Sequence, residues 1–313
     1  MYDPFEPGDH SVATQADEAA DPARNRLFPC DIWLPDGSSA RGPFPLVVIS
    51  HSSGGNRRSA TFLCSHLASH GYVVAAMDHS ELVAAELAPA ADETAEQRKA
   101  RVDAVIASRV PDVRFLIDYA LGAGLDVDPD RIGLVGHSFG GWTVLAVPDS
   151  DARVGSVVAM GPGGSSRPRP GILPLGLTFA WARDVPVLYL AAEDDVPIPL
   201  DGVRELFDRT PGSRRMFVLR RADHQHFVDD VEGEHEALRA MTLPGDAAWI
   251  PAAMRPMSEL CPGPQAHDFV RGLTLAHLDA TLRESDPAER FLAAGADAAL
   301  AARGVDAAEH EGC

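Results

Sequence analysis

Arg131-Ile132-Gly133-Leu134-Val135-Gly136-His137-Ser138-Phe139-Gly140-Gly141-Trp142-Thr143-Val144-Leu145-Ala146 is the stretch whose reading decides the fold. Residues 131–135 are a short apolar run suited to a buried strand, and 142–146 can continue as a helix. Between them stands G-x-S-x-G, the pattern of a nucleophile elbow, which needs a strand before it and a helix after it. The demand is steric. A turn this tight strains the serine backbone, and neighbours with a Cβ would collide with the strand or the helix. The hydroxyl is lifted clear of the sheet, at the positive end of a helix. Ser138 is therefore the predicted nucleophile. The alternative, an ordinary glycine-rich turn, leaves the flanking pattern unexplained.

On both sides of this segment, apolar runs alternate with helical stretches. Two weak strand patterns in residues 11–34 flank the turn Asp21-Pro22-Ala23-Arg24-Asn25 and read as an edge hairpin, where prolines are tolerated. Further strands are expected at 46–50, 72–77, 156–160, 185–191 and 215–219. Helices are expected near 58–70, 93–121, 266–282 and 287–302, with Pro111 marking a break or fresh start in the second. The alternation predicts one α/β domain over residues 1–313, a doubly wound, mainly parallel sheet of about eight strands with helices on both faces. Residues 303–313 are expected to fray. Ligands of such sheets bind at the carboxyl ends of the strands, where Ser138 falls.

A serine nucleophile needs a base to take its proton and an acid to orient that base. In this architecture the chain order is serine, acid, histidine. Strand 185–191 runs into Glu193-Asp194-Asp195, and its end is expected to lie beside the elbow strand. Asp195 is the chosen acid and Asp194 the reserve. The other position for an acid, after strand 156–160, reads Gly161-Pro162-Gly163-Gly164 and holds no carboxylate. Strand 215–219 leads to Asp223-His224-Gln225-His226, where His224 is the predicted base and His226 the competitor. The developing oxyanion needs backbone N–H donors. Phe139 supplies one, and the loop His51-Ser52-Ser53-Gly54-Gly55-Asn56 the other, through Ser53 or, in reserve, Ser52.

The bulk numbers narrow the partners. The chain has 313 residues, 45% of them hydrophobic, and 27 basic against 46 acidic side chains give a formal charge of −19. Such a balance disfavours nucleic acid and anionic membrane surfaces. Cys30, Cys64, Cys261 and Cys313 are scattered and form no C-x-x-C pair, so no metal site is expected. No signal peptide and no membrane span is legible, which predicts a soluble cytoplasmic protein with free thiols.

Together these segments resemble the α/β-hydrolase superfamily. Within it they are most similar to the group of platelet-activating-factor acetylhydrolases, dienelactone-hydrolase-like proteins and cutinase-like polyester hydrolases. Pro45–Arg57 is similar to that group's strand and oxyanion loop, and Leu67–Ala75 to its next helix and strand. Gly136–Gly141 is similar to its elbow, and His224–Phe227 to the acetylhydrolases' histidine loop. The resemblance implies a Ser-His-Asp carboxylester hydrolase with no cofactor, acting on a small-molecule ester. The chain departs from the pattern in three places. Ser138 replaces the cysteine of true dienelactone hydrolases. The oxyanion loop reads His51-Ser52 where His-Gly is common. The acid sits at Asp195, the polyester-hydrolase placement, and not after the earlier strand. An acyltransferase or peptidase would need the same three residues, and a binder that kept the fold would not need them.

Two segments are candidates to cover the site. Residues 161–184 carry Leu173, Leu175, Leu177, Phe179 and Trp181, too apolar for a solvated loop. Residues 229–265 are longer than an ordinary connection and contain Trp249, Met254 and Met257, which suits a cap lining an apolar pocket. Ser52 and these three residues are the predicted substrate contacts. The competing reading packs 229–265 on the sheet flank.

Overall fold

Apolar residues alternate to two faces along every central strand, and that alternation builds the layers. The computed structural model describes residues 2–36 and 41–310. Its strands are β1 (Ser11–Asp21), β2 (Arg26–Asp36), β3 (Phe44–Ser50), β4 (Val73–Met77), β5 (Val127–His137), β6 (Val154–Met160), β7 (Val187–Ala192), β8 (Arg214–Leu219) and β9 (Ala307–Glu309). They form one sheet in the order β1-β2-β4-β3-β5-β6-β7-β8-β9. β4 through β8 run parallel, while β1, β2 and β9 are antiparallel additions at the two edges.

The helices are α1 (Thr61–Ser69), α2 (Ser80–Val83), α3 (Ala95–Gly122), α4 (Phe139–Ala146), α5 (Leu200–Arg209), α6 (Val231–Ala240), α7 (Ile250–Ala253), α8 (Gly263–Leu282), α9 (Asp286–Ala294) and α10 (Ala296–Ala302). In β7, Leu188, Leu190 and Ala192 face the core shared with α1 and α8, while Val187, Tyr189 and Ala191 face the core shared with α3, α4 and α5. Each large side chain so buried contributes about 1.5–3 kcal/mol. A few of them therefore outweigh the ~1–3 kcal/mol of strain that one forced backbone residue stores.

Three expectations are corrected. The chain after Ala302 does not fray: Ala307–Glu309 pairs antiparallel with Phe217–Leu219, which brings the sheet to nine strands among the described residues, in keeping with the expected count of about eight. The last part of that expectation, residues 311–313 with Cys313, lies outside the described residues. Pro111 does not break α3, which runs through it. Pro111 and Ala107, whose carbonyl loses its helical partner, are both on the exposed face, where water can take that carbonyl. The C-terminal stretch is two helices and not one, meeting at Gly295.

The switch point lies at β3. The chain moves from β3 outward to β4 and later returns to β5 on the other side of β3. A crevice opens at the carboxyl ends of such a pair. Ser50 at the end of β3 is in register with Gly136 of β5, which sets the loop at 51–56 beside the elbow.

Candidate active site

Ser138 has φ 58° and ψ −114°, a left-handed conformation that a non-glycine residue adopts only under constraint. The constraint is visible. Its N–H donates to the Met160 carbonyl at 2.9 Å, and its own carbonyl accepts from Trp142 at 3.0 Å and Gly163 at 3.2 Å. The side chain is half-buried, so it stays reachable from solvent. Phe139 opens α4, where the first N–H groups have no helical acceptor and can face an anion. Ser53 lies in the exposed turn after β3, and Ser52 is half-buried beside it.

His224 begins a short 3₁₀ turn, His224–Phe227, capped by the side chain of Asp223. The Ser138 hydroxyl donates to His224 Nε2 at 2.8 Å, and His224 Nδ1 donates to Asp195 Oδ2 at 2.7 Å. The second oxygen, Oδ1, accepts the Ile198 N–H at 2.7 Å, so the carboxylate cannot rotate freely. Both residues are buried. Burial raises the Asp195 carboxyl above its ordinary range, and the facing His224 opposes that. Burial also works to lower His224, but the carboxylate of Asp195 prevails and its pKa is raised. The preferred members of the sequence reading, Ser138, His224 and Asp195, are thus brought together.

The route by which Asp195 arrives differs from expectation. β7 does not neighbour the elbow strand, because β6 lies between them. The acid must cross the end of β6 to meet the histidine. The crossing passes Gly161, where φ is +47° and an added Cβ would lie 3.3 Å from Asp195 Oδ2 and 3.6 Å from His224 Nδ1. A side chain here would be strained and would press on the pair.

The reserves have other partners. Asp194 Oδ2 accepts from Arg255 Nη1 at 3.0 Å, tying the acid turn to the 229–265 segment. His226 is fully buried, with Nε2 donating to the Cys261 carbonyl at 3.0 Å and Nδ1 2.9 Å from Asp223 Oδ1. His235 of α6 sets its Nδ1 2.5 Å from Asp223 Oδ2 and donates from Nε2 to the Arg255 carbonyl at 3.0 Å. This Asp223–His226–His235 cluster binds the histidine turn to α6 and to the chain at 255–261, and the sequence reading missed it. An aspartate directly before the histidine turn was its only local sign. His137 was also unremarked. It is buried and packs its ring 4.7 Å from that of His224, and burial, then its histidine neighbour, lower its pKa well below the ordinary range.

His226 gives a pH prediction. Burial acts to lower its pKa, but hydrogen bonds to Asp223 and to Cys261 raise it to about 9. A histidine raised in the folded state stabilises fully below the unfolded value, ~6.5. That contribution is lost as pH rises through about 9. Denaturant unfolding of the protein and of His226→Gln should therefore differ by a few kcal/mol at about pH 6, the gap closing above the folded pKa. A gap that stays constant with pH would show that His226 is not charged in the fold.

The predicted cap residues separate. Met254 joins Ile250 and Val196, the residue after Asp195, in a small apolar cluster bordered by Trp249. Trp249 Nε1 donates to the Pro170 carbonyl at 3.1 Å, and Arg169 lies over its ring, so the segments 161–184 and 229–265 pack on each other. Met257 is half-buried and packs against the other core cluster, apart from these residues. A cleft of about 460 Å³ runs between Arg169, Asp194, Asp195, Asp201 and Arg255, and its lining is largely charged, not apolar. Among the described residues no group of acidic, histidine and cysteine side chains could hold a metal ion.

A mostly parallel sheet flanked by helices, with a strained serine on a strand-to-helix turn at its switch point, defines an α/β-hydrolase fold. Residues 33–241 match the dienelactone hydrolase family, and the chain belongs to that family. It is similar to the platelet-activating factor acetylhydrolase of Cavia porcellus, 24% identical over 59% of this chain and 48% of that protein. It is also similar to a cutinase of Thermobifida alba, 24% identical over 70% of this chain and 65% of that one. The chain spans about half the length of the acetylhydrolases it matches. Among solved structures, a ferulic acid esterase from Streptomyces cinnamoneus superposes with a TM-score of 0.60 at 24% identity, covering 90% of this chain and 91% of that chain. Among the described residues no helix is long and apolar enough to cross a membrane.

Proposed function

We propose that this protein is a serine esterase that cleaves small or medium carboxylic esters through an acyl-enzyme. The observation that carries the reading is the unbroken hydrogen-bond chain from Ser138 through His224 to Asp195, at 2.8 and 2.7 Å. Ser138 Oγ attacks the ester carbonyl carbon as its proton passes to His224 Nε2. The carbonyl oxygen becomes an oxyanion, held by the N–H groups of Phe139 and Ser53. Collapse expels the alcohol, which takes the proton from His224. Water then gives a proton to the same nitrogen and attacks the acyl carbon, releasing the acid and restoring Ser138. Asp195 holds the imidazole in the tautomer that leaves Nε2 free to accept. No step requires a cofactor or a metal. Names among the relatives support an ester: an acetylhydrolase, a cutinase and a ferulic acid esterase. The buried free thiols Cys30, Cys64 and Cys261 are in keeping with the cytoplasm.

A panel of acyl chain lengths and aryl esters, including terephthalate and lactone substrates, with Ser138→Ala as blank, tests this reading. Serine-dependent release of acid supports it, and release equal in the blank refutes it. Added alcohol acceptors in the same assay distinguish acyl transfer from hydrolysis. Trp249 and Met254 are proposed to limit the size of group accepted beside the acid turn. Trp249→Ala should then change kcat/KM unequally across the panel, within the ~1–3 kcal/mol that a methylene-sized difference carries. Lower stability with an unchanged ester ranking would assign Trp249 to packing alone.

A further inference from the structure

The turn that carries Ser52 and Ser53 is held from beneath by a buried cation that the proposed chemistry does not use. Arg109 lies mid-way along α3 and is completely buried. Its Nη1 donates to the His51 carbonyl at 2.7 Å and its Nη2 to the Ser52 carbonyl at 3.4 Å. The guanidinium also engages both oxygens of Glu81, from Nε at 3.2 Å and from Nη2. Its Cζ stands 4.1 Å from the centre of the Phe139 ring. One side chain thus touches both segments assigned to the oxyanion. α4, which shares a core with α3, also presses on this backbone: a Cβ at Gly140 would lie 2.0 Å from the Ser50 carbonyl oxygen and 2.8 Å from that of His51.

Peptide geometry converts these contacts into a direction. The C=O of one residue and the N–H of the next share a rigid trans plane and point opposite ways. The Ser52 carbonyl is turned toward Arg109 and also accepts from His51 Nδ1 at 2.7 Å and from Gly55 N–H at 3.2 Å. The Ser53 N–H therefore points away from α3. The His51 carbonyl fixes the Ser52 N–H in the same manner. An aliphatic side chain would fill this space without the penalty of burying a charge, but only a planar fork holds two carbonyls at once.

Next to Arg109 is a second serine–histidine–aspartate chain. Ser50 Oγ lies 2.8 Å from His79 Nε2, and His79 Nδ1 lies 3.2 Å from Asp112 Oδ2. Ser50 and His79 are 1% exposed and Asp112 is 0%, so no substrate reaches them. Asp112 also accepts from the Ser80 N–H and hydroxyl and from Arg24. This chain is scaffold, joining the end of β3 to α3 and to the chain after β4.

We infer that Arg109 is a positioning residue for the oxyanion donors: it aims the N–H groups of Ser52 and Ser53 and seats the Phe139 ring. The inference rests on the esterase reading above. Its test compares an oxygen ester with the matching thionoester, since sulfur accepts hydrogen bonds poorly and forfeits most of the oxyanion stabilisation. Arg109→Met should lower kcat for the oxygen ester by about 10²-fold, the scale of one lost donor, with KM within about threefold. The thionoester rate should fall far less, so the oxygen-to-sulfur preference collapses. A merely structural loss lowers Tm and leaves that preference in place, as expected of Thr210→Val at the remote buried Tyr189–Thr210 pair. If Arg109→Met does not fold, Arg109→Lys carries the test. It keeps the charge beside Glu81 but reaches one carbonyl, and should lower kcat about tenfold with the same bias. An unchanged kcat per fluorophosphonate-labelled Ser138 and an unchanged preference in the folded variant would overturn the inference alone. No turnover of either ester by the native protein would overturn the esterase reading, and this inference with it.

Discussion

Ser138→Ala is expected to lower kcat by about 10⁴-fold or more on whichever ester the panel shows to be best, with His224→Ala nearly as damaging. The two losses should be similar because the residues act as one unit across a single 2.8 Å hydrogen bond. Without the hydroxyl no acyl-enzyme forms, and without the imidazole the hydroxyl keeps its proton. Whatever rate survives comes from substrate binding and oxyanion stabilisation. His226→Ala should instead act on stability, because its ring is spent on Asp223 and the Cys261 carbonyl. Kinetics of the three variants, with near-ultraviolet circular dichroism to confirm folding, check the assignment. Greater damage from His226→Ala than from His224→Ala would reverse it.

Asp195→Asn should leave the fold intact and lower kcat by roughly 10³- to 10⁴-fold. The carboxylate accepts the Nδ1 proton at 2.7 Å and so leaves Nε2 free to accept from Ser138. An amide that turns its NH₂ toward Nδ1 favours the opposite tautomer, with the proton on Nε2, where it blocks transfer from the serine. The variant should also lose the raised pKa of His224, which depends on the negative charge of Asp195. The acidic limb of the kcat/KM profile should then move to lower pH. Asp194→Asn should be mild, because Asp194 faces Arg255 and not the imidazole. Equal effects of the two substitutions would mean that the acid turn is seated differently.

The residues of the candidate site were legible because each part has a local signature. G-x-S-x-G between an apolar run and a helix marks Ser138. Chain order then reduces the search for acid and base to two short turns after later strands. The sequence pattern ranked Asp195 over Asp194 and His224 over His226, but the reason for Asp195 was only half correct. Its strand lies two places from the elbow strand, and Gly161 at the end of β6 clears the way. The strand at Ala307–Glu309 was not legible, since two alanines and a glutamate carry no β pattern; edge pairing with β8 makes it a strand. The fate of Pro111 depended on which helix face it occupied, which tertiary packing decides. Arg109 had a faint sign. It shares the helical stripe of Asp112, Val113, Leu116, Ile117 and Ala120, where a charged residue is out of place unless something needs it. Its partners come from α2 (Glu81) and from the turn after β3 (His51 and Ser52), both distant in the chain, and no local pattern announces them. The Asp223–His226–His235 cluster is hidden for the same reason.

The central claim is that Ser138, activated by His224, is the group that attacks substrate. Fluorophosphonate labelling followed by peptide mass spectrometry tests it most directly. The account predicts one adduct per chain, on Ser138, absent from Ser138→Ala and formed far more slowly in His224→Ala. An adduct on another residue, labelling that persists in Ser138→Ala, or no labelling of the folded native protein would contradict it.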